Sequence, residues 1–354
     1  MTELWIQTAL GPMKEVQTLA GRFEADGWKG VMVFDSQSLI ADPYMTLAFA
    51  AAATRTLKLG IGVSNPVTRH AAVSASALAA LQEASGGRAT LGIGRGNSSL
   101  AYLGAAPASL AEFEDYVRLL QALLSGGAAP VEQLLTRSAG LRPLDPETLG
   151  RAPDEARLKW LDRTVPKAMV EVAATGPKAI ALGVRQGDRL SFSVGADQTR
   201  LAEAIAQARA AAEQNGRTAP LGLTAYVSVA ALADKGRARR LAAPDVAMHA
   251  HIAALNPANL ARMSEAERGS MEKIAKTYDM TRHARHGAQT EGLDDAFIDA
   301  HAVVGAPAEC VARLKAIAAL GLDRLVLMMP MPLKDDPAES YANVVREVLP
   351  AFAG

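Results

Sequence analysis

The stretches LKLGIGVSNP (residues 57–66) and ATLGIGRGNSS (residues 89–99) decide the fold. Each is a short run rich in Leu and Ile that breaks into a Gly-x-Gly turn and then into polar loop residues. A helical pattern follows each one, over Ala71–Ala84 and over Leu110–Leu124. A strand that is apolar on nearly every residue has both of its faces covered, one by a barrel interior and the other by a jacket of helices. Working outward, the same unit recurs along the chain. Strands are expected at Leu4–Leu10, Gly30–Asp35, Leu57–Val63, Ala89–Gly94, Met169–Ala173, Arg189–Val194, Leu221–Val229 and Asp323–Met329. Helices are expected at Lys14–Ala25, Pro43–Ala53, Ala71–Ala84, Leu110–Leu124, Pro177–Val184, Gln198–Gln214 and Ala308–Ala319. Eight such strands close a parallel barrel. The reading is an α/β protein, a (β/α)8 TIM barrel with two insertions, as a single domain over 1–354.

The insertions are the places where the rhythm breaks. Gly126–Pro166 is scattered with Pro, Gly and charge. The longer one, over about 235–300 and at most Ala233–His301, is helical in pattern and holds His249, His251, His283, His286 and His301. It reads either as a solvated helical insertion or as a lid over the C-terminal mouth of the barrel, where sites of this fold are built. His283 and His286 stand three apart, but no third ligand is placed beside them. They read as exposed helix residues, and no metal is expected.

The 354 residues carry 37 Lys+Arg against 37 Asp+Glu, which leaves no basic footprint for nucleic acid or for an anionic membrane. No apolar run approaches the ~20 residues that cross a bilayer, and the first residues lack a basic leader. The expectation is a soluble, cytoplasmic protein. The single cysteine, Cys310, excludes an intrachain disulfide and reads as a small buried apolar residue.

Chemistry belongs in the loops at the strand ends. Asp35-Ser36-Gln37 puts a carboxylate, a hydroxyl and an amide at the mouth. Gly62-Val63-Ser64-Asn65 and Gly94-Arg95-Gly96-Asn97-Ser98 offer exposed backbone that a flat ring or a phosphate can approach, although small residues also simply ease tight turns. Ala174-Thr175-Gly176-Pro177-Lys178 opens a helix. Thr175 is placed to cap it and Pro177 suits its first turn, so its free N–H groups form an anion site. Barrel-mouth side chains from Trp5, Gln7, Gln37, Tyr102, Tyr226 and Met328 to Met331 suggest an apolar, partly aromatic pocket, with core packing as the alternative.

Together these motifs carry a resemblance. The segment DPYMTLAFAAAATRTLKLGIGVSNPVTRHAAVSASALAALQEASGGRATLGIGRGN (42–97) resembles the luciferase-like monooxygenase superfamily. So do, in the same order, EVAATGPKAIALG (171–183), VGADQTRLAEAI (194–205) and VVGAPAECVARLKAIAALGLDRLVLM (303–328). Within the superfamily the methylenetetrahydromethanopterin-reductase type is the most similar. The resemblance implies a (β/α)8 barrel that binds reduced FMN or the deazaflavin coenzyme F420 at its mouth, for oxygen activation or hydride transfer.

By position, the resemblance implies a non-proline cis peptide at Gly62-Val63 behind the flavin ring. It places Gly94, Gly96, Asn97 and Ser98 near the ribityl chain and pyrimidine edge. Ala174, Thr175, Gly176 and Pro177 would surround the phosphate, and Gly195 would be another glycine of that pocket. Many F420-using relatives have Asp-His where this chain has Asp35-Ser36, and several have Glu where it has Asn97. Asp35 is thus the only carboxylate or imidazole left in those two loops. Asp35 and Asn97 are the catalytic candidates, with Asp35 alternatively a cap of its own turn. Three activities stay open: an FMN-dependent monooxygenase fed by a separate flavin reductase, an F420-dependent reductase or dehydrogenase, and a non-catalytic flavin-binding protein. The substrate would be a small organic molecule. The Ala- and Ser-rich helices Met45–Ala53 and Ala71–Ala84 suit close packing, and the resemblance implies a homodimer through this region.

Overall fold

Glu3–Gln7 (β1) lies between Gly30–Val33 (β2) on one side and Arg324–Met328 on the other, all three strands parallel. From β2 the sheet continues through Lys58–Ser64 (β3), Ala89–Ile93 (β4), Met169–Ala173 (β5), Arg189–Phe192 (β6) and Gly222–Ala231 (β7). Pairing of β7 with Arg324–Met328 (β8) closes the ring. The computed structural model describes residues 2–136, 141–145, 147, 150–254, 265–291, 293–330 and 335–353. All eight expected strands are staves of this closed parallel barrel, with shifts of up to three residues at their ends.

A ninth strand, Ala302–Gly305, was not expected from the sequence. It pairs in parallel with the upper end of β7, Val303 opposite Val229 and Gly305 opposite Ala231. It follows the last helix of the second insertion, Asp295–His301, with no loop between them, so no turn residue marks its start.

The helical jacket follows its local signals. Helices α1 (Val16–Ala25), α2 (Pro43–Ala53), α3 (Ala71–Ala84), α4 (Leu110–Leu124), α5 (Pro177–Gln186), α6 (Gln198–Gln214) and α7 (Pro307–Ala318) bury apolar stripes against the barrel. Asp42 caps α2 by accepting the Met45 N–H at 3.0 Å, with Pro43 at the first position. Ser109 and Glu112 form a reciprocal capping box on α4. The expected start at Lys14 falls in a 3-10 turn, Met13–Glu15, and α1 begins only at Val16.

The barrel interior holds Trp5, Met32, Tyr226, Val326 and Met328. These large side chains fit because neighbouring staves present glycine in register, Gly30 beside Trp5 and Gly60 beside Met32. A Cβ on Gly60 would overlap the Met32 sulfur, and one on Gly30 would overlap the Trp5 ring. The interior also contains a charge cluster that the apolar pattern concealed. Glu171 on β5 is fully buried, and its Oε2 accepts from Thr224 Oγ1 (2.7 Å), Arg324 (3.1 Å) and Arg189 (3.3 Å). The Arg324 guanidinium also lies 3.7 Å from the centre of the Trp5 ring. Deleting one member of such a buried set strands the others and costs about 3–5 kcal/mol.

The first insertion contains a short antiparallel pair, Ala129–Pro130 with Glu155–Ala156, and the helix Val131–Thr136. The second contains the helices Lys235–Ala254, Glu265–Thr277, Ala288–Glu291 and Asp295–His301. Residues 137–140, 146, 148 and 149 of the first, and 255–264 and 292 of the second, lie outside the described residues, as does Met331 of the expected pocket. No described helix is long and apolar enough to cross a membrane.

Candidate active site

At the end of β3 the Gly62–Val63 peptide bond is cis. Here three steps of β3, from Ile61 to Ser64, span two steps of β4, from Leu91 to Ile93, so the strand bulges into the mouth. Gln7 donates from its side-chain amide to the Gly62 carbonyl oxygen, which braces the bulge from β1. Tyr226 reaches it from β7: a Cβ on Gly62 would lie 2.7 Å from the Tyr226 hydroxyl. That hydroxyl is buried with no hydrogen-bond partner among the described residues, and burial holds the phenol well above its ordinary pKa, so it stays protonated. Gly62 therefore makes room for the protein's own Tyr226.

Side chains of the β2 and β3 loops are spent on each other. Asp35, 5% exposed, accepts from Ser64 Oγ at 2.6 Å and from Arg69 Nε at 3.4 Å. Arg69 also pairs with Asp42 and lies over the Tyr44 ring. Arg69, missed in the sequence, closes this corner. Instead of capping its own turn, the Asp35 carboxylate is claimed by these two donors from the β3 loop. Asn65 organises its own loop, its Oδ1 accepting from the N–H groups of Val67 and Thr68 at 3.0 Å each. Gly94 N–H donates to the Ser64 carbonyl at 2.9 Å, joining the two glycine-rich loops. Gly96 has φ +91°, and Asn97, half-buried, precedes the short helix Ser98–Ala101 without capping it through its side chain.

The β5 and β6 loops are arranged in the opposite way. Helix α5 starts with Gly176 in the capping position and Pro177 as its first residue, and no side chain among the described residues caps it. Thr175 is therefore not the cap the sequence suggested: it lies one residue too early and is exposed. The first N–H groups of the ten-residue helix are left for another acceptor. Ala174 is buried and tied through its N–H to the Ser191 carbonyl at 2.9 Å. In the neighbouring loop Gly195 has φ +79°, and a Cβ there would lie 3.0 Å from the His301 carbonyl oxygen.

Thr175 and Gly195 line one cleft of about 340 Å3, the size of a small-molecule site. Its floor includes Tyr226, Ser228 and Met328 at the barrel mouth. One wall is the face of α6 that carries Arg200, Glu203 and Gln207. The roof comes from the second insertion, with Val246, His249, Ala250, Glu267 and Met271. Arg200 donates to Glu267 (2.7 Å) and to His301 Nε2 (3.1 Å), while His301 Nδ1 faces the Phe297 carbonyl (2.9 Å). Those partners assign the proton to Nδ1, and burial lowers the pKa of His301 and of His249, which favours neutral rings.

The remaining expected pocket residues divide. Trp5 is wholly inside the barrel and Met329 packs in the outer core. Gln37 donates to the Ser99 carbonyl at 2.8 Å. Tyr102 donates to the Met280 carbonyl, which ties the β4 side of the mouth to the second insertion. His283 and His286 are not helix residues: His283 is half-buried and bonded to the Tyr278 hydroxyl at 2.7 Å, whereas His286 is exposed. Among the described residues no three His, Cys, Asp or Glu side chains gather as a metal site.

The site thus consists of a closed parallel barrel with a bulged β3 and an open cleft between its mouth and a helical roof. The sequence pattern described as luciferase-like monooxygenase matches residues 2–324, and the chain belongs to that family. It is 25% identical over 334 residues to the 5,10-methylenetetrahydromethanopterin reductase of Methanolobus tindarius, covering 90% of this chain and 91% of that one. Among solved structures it resembles the coenzyme F420-dependent tetrahydromethanopterin reductase of Methanopyrus kandleri, with a TM-score of 0.73, 19% identity and 99% of both chains covered. It also resembles the oxygenating constituent of 3,6-diketocamphane monooxygenase of Pseudomonas putida, which was solved in complex with FMN. That likeness has a TM-score of 0.62 and 17% identity, covering 99% of this chain and 98% of that one. Likenesses at this identity show the shared fold.

Proposed function

We propose that the protein is a flavin- or deazaflavin-dependent oxidoreductase acting on a small organic substrate at the barrel mouth. The observation that carries this is the cleft itself, which runs from Thr175, just ahead of the uncapped start of α5, to Tyr226, whose hydroxyl lies against Gly62; the other β3 and β4 loop residues do not line it. Reduced FMN and F420 each combine a flat ring with a phosphate, and the residues present suit both parts. The bulge, with Gly94, Gly96, Asn97 and Ser98, would back and edge the ring. Ala174, Thr175, Gly176, Pro177 and Gly195 would surround the phosphate, held by the first N–H groups of α5.

When bound, the cofactor supplies the hydride or the activation of oxygen, and this chain supplies orientation, electrostatics and exclusion of water. Gln7 holds the Gly62 carbonyl and so fixes the plane of the bulge. Asp35 fixes Ser64 and Arg69 and acts in this reading by positioning the β3 loop, and Asn97 is the residue that would offer an amide near the ring. The second insertion roofs the cleft and serves as a lid, held by Arg200–Glu267 on one side and Tyr102–Met280 on the other. Supply of reduced FMN by a separate reductase is the partner requirement of the monooxygenase form.

Met45 and Phe49 on α2 and Val73 on α3 are exposed apolar side chains on adjacent helices, which supports a homodimer through this face. The balanced charge suits the cytoplasm. The test is titration of the purified protein with FMN and with F420, following fluorescence quenching. Saturable binding of one of them supports the reading; binding of neither refutes it.

A further inference from the structure

The walls of the cleft carry more negative than positive charge. Asp197, Glu203 and Glu267 line it, and among its described lining residues Arg200 is the one Lys or Arg. Arg200 pairs closely with Glu267 at 2.7 Å, so those two charges offset each other, and more loosely with Asp197 at 4.0 Å; the uncompensated charge of the cleft rests on Glu203 and Asp197. The two imidazoles that line the cleft add no compensating charge, because burial favours their neutral forms. A phosphate at the cradle meets backbone N–H groups, which tolerate this surrounding. An anion further out meets the face of α6, where Glu203 is exposed, with the lid's Glu267 opposite.

The two candidate cofactors differ beyond the phosphate. FMN ends there, whereas F420 continues into a lactyl group and a string of glutamates, each adding a carboxylate. We propose that Glu203, with Asp197, makes the cleft selective for a ring cofactor that ends at its phosphate, and against one with an oligoglutamate tail. This rests on the cofactor reading above and goes beyond it by assigning these acidic residues as determinants of which cofactor is taken.

The experiment measures dissociation constants for FMN and for F420 bearing no, two and five or more glutamates, at low and at high salt. At low salt, affinity should fall as the tail lengthens, by about tenfold from the tailless to the longest form, and added salt should compress the difference. Glu203→Lys, at an exposed position outside the core, should remove most of that tail penalty. Circular dichroism confirms that the variant is folded, and Glu203→Gln should give an intermediate result. Affinity that is flat or rises with tail length overturns the inference, as does a folded Glu203→Lys variant with an unchanged tail penalty. Binding of no form at all is a distinct result, because it overturns the cofactor reading and this inference with it.

Discussion

On the β2–β3 side of the mouth, Asp35, Ser64, Arg69 and Asp42 satisfy one another and bury Asp35 almost completely. On the β5–β7 side, a helix start has no cap, a glycine takes a left-handed conformation, and a cleft opens beside both. A side chain that has found its partners contributes rigidity, and a backbone group left without one is available to a ligand. Chemical type alone would have ranked Asp35 above Gly176. Their surroundings reverse that order for binding.

The comparison breaks most readily at Gly176. A Gly176→Asp variant sets a carboxylate where the proposed phosphate sits. At an effective dielectric near 20, two charges about 4 Å apart repel by roughly 4 kcal/mol, about three powers of ten in affinity, and solvent screening halves that energy. Flavin titration should show the loss, while the apo melting temperature changes little, since an acid near a helix start is tolerated. Unchanged affinity in a folded variant would place the phosphate elsewhere.

On the closed side the balance should invert. Asp35→Ala removes the acceptor of Ser64 and one of the two carboxylates on Arg69, for a destabilisation of about 1–3 kcal/mol in urea unfolding. Ligand affinity should shift by less than about threefold, since 1.4 kcal/mol already corresponds to tenfold. Abolished turnover with unchanged stability would instead give Asp35 a direct part in proton transfer.

Gly195→Ala probes whether the open side depends on backbone shape. The new Cβ must adopt φ near +79° and lies 3.0 Å from the His301 carbonyl oxygen. A cost of about 1–2 kcal/mol is expected, appearing in both stability and ligand affinity. A loss in stability alone would exclude Gly195 from the ligand's surroundings.

The smallest effect concerns the roof. Burial pushes the His283 pKa down to about 4, with neighbouring His251 and His249 adding to the shift. Unfolding returns the ring to its ordinary value of about 6.5. Between those values the unfolded segment takes up a proton that the folded one refuses, so acidification from 6.5 toward 4 destabilises the lid. Limited proteolysis at pH 5 should cut residues 265–291 faster than at pH 7.5, and His283→Phe should blunt the difference. Equal cutting at both pH values would show that His283 does not couple the lid to pH.

The barrel was legible because each stave is apolar on both faces, a pattern that few other elements share. The loop glycines were legible as positions of close backbone approach. What the pattern hid were features that depend on partners distant in sequence. Glu171, Arg189 and Arg324 each look like a stray charge in an apolar run, and only the closed ring brings them together. Arg69 is one basic residue among many until the β3 loop folds it over Asp35. Thr175 misled because the capping preference concerns residue type, whereas Pro177 as the first helical residue leaves the capping position to Gly176.

Strand β7, ten residues long, holds both roots of the second insertion at its upper end. The chain leaves this strand at Ala231 and returns at Ala302–Gly305, hydrogen-bonded to Ser228–Ala231. Departure at Ala231 and return at Ala302, which pairs with Ser228, lie on neighbouring strands and three residues apart along them, roughly 11 Å. A segment rooted this way is a cassette: its length and composition can be exchanged between descendants without moving a stave, so the roof over the cleft can diversify while the eight-stranded ring beneath it is inherited intact.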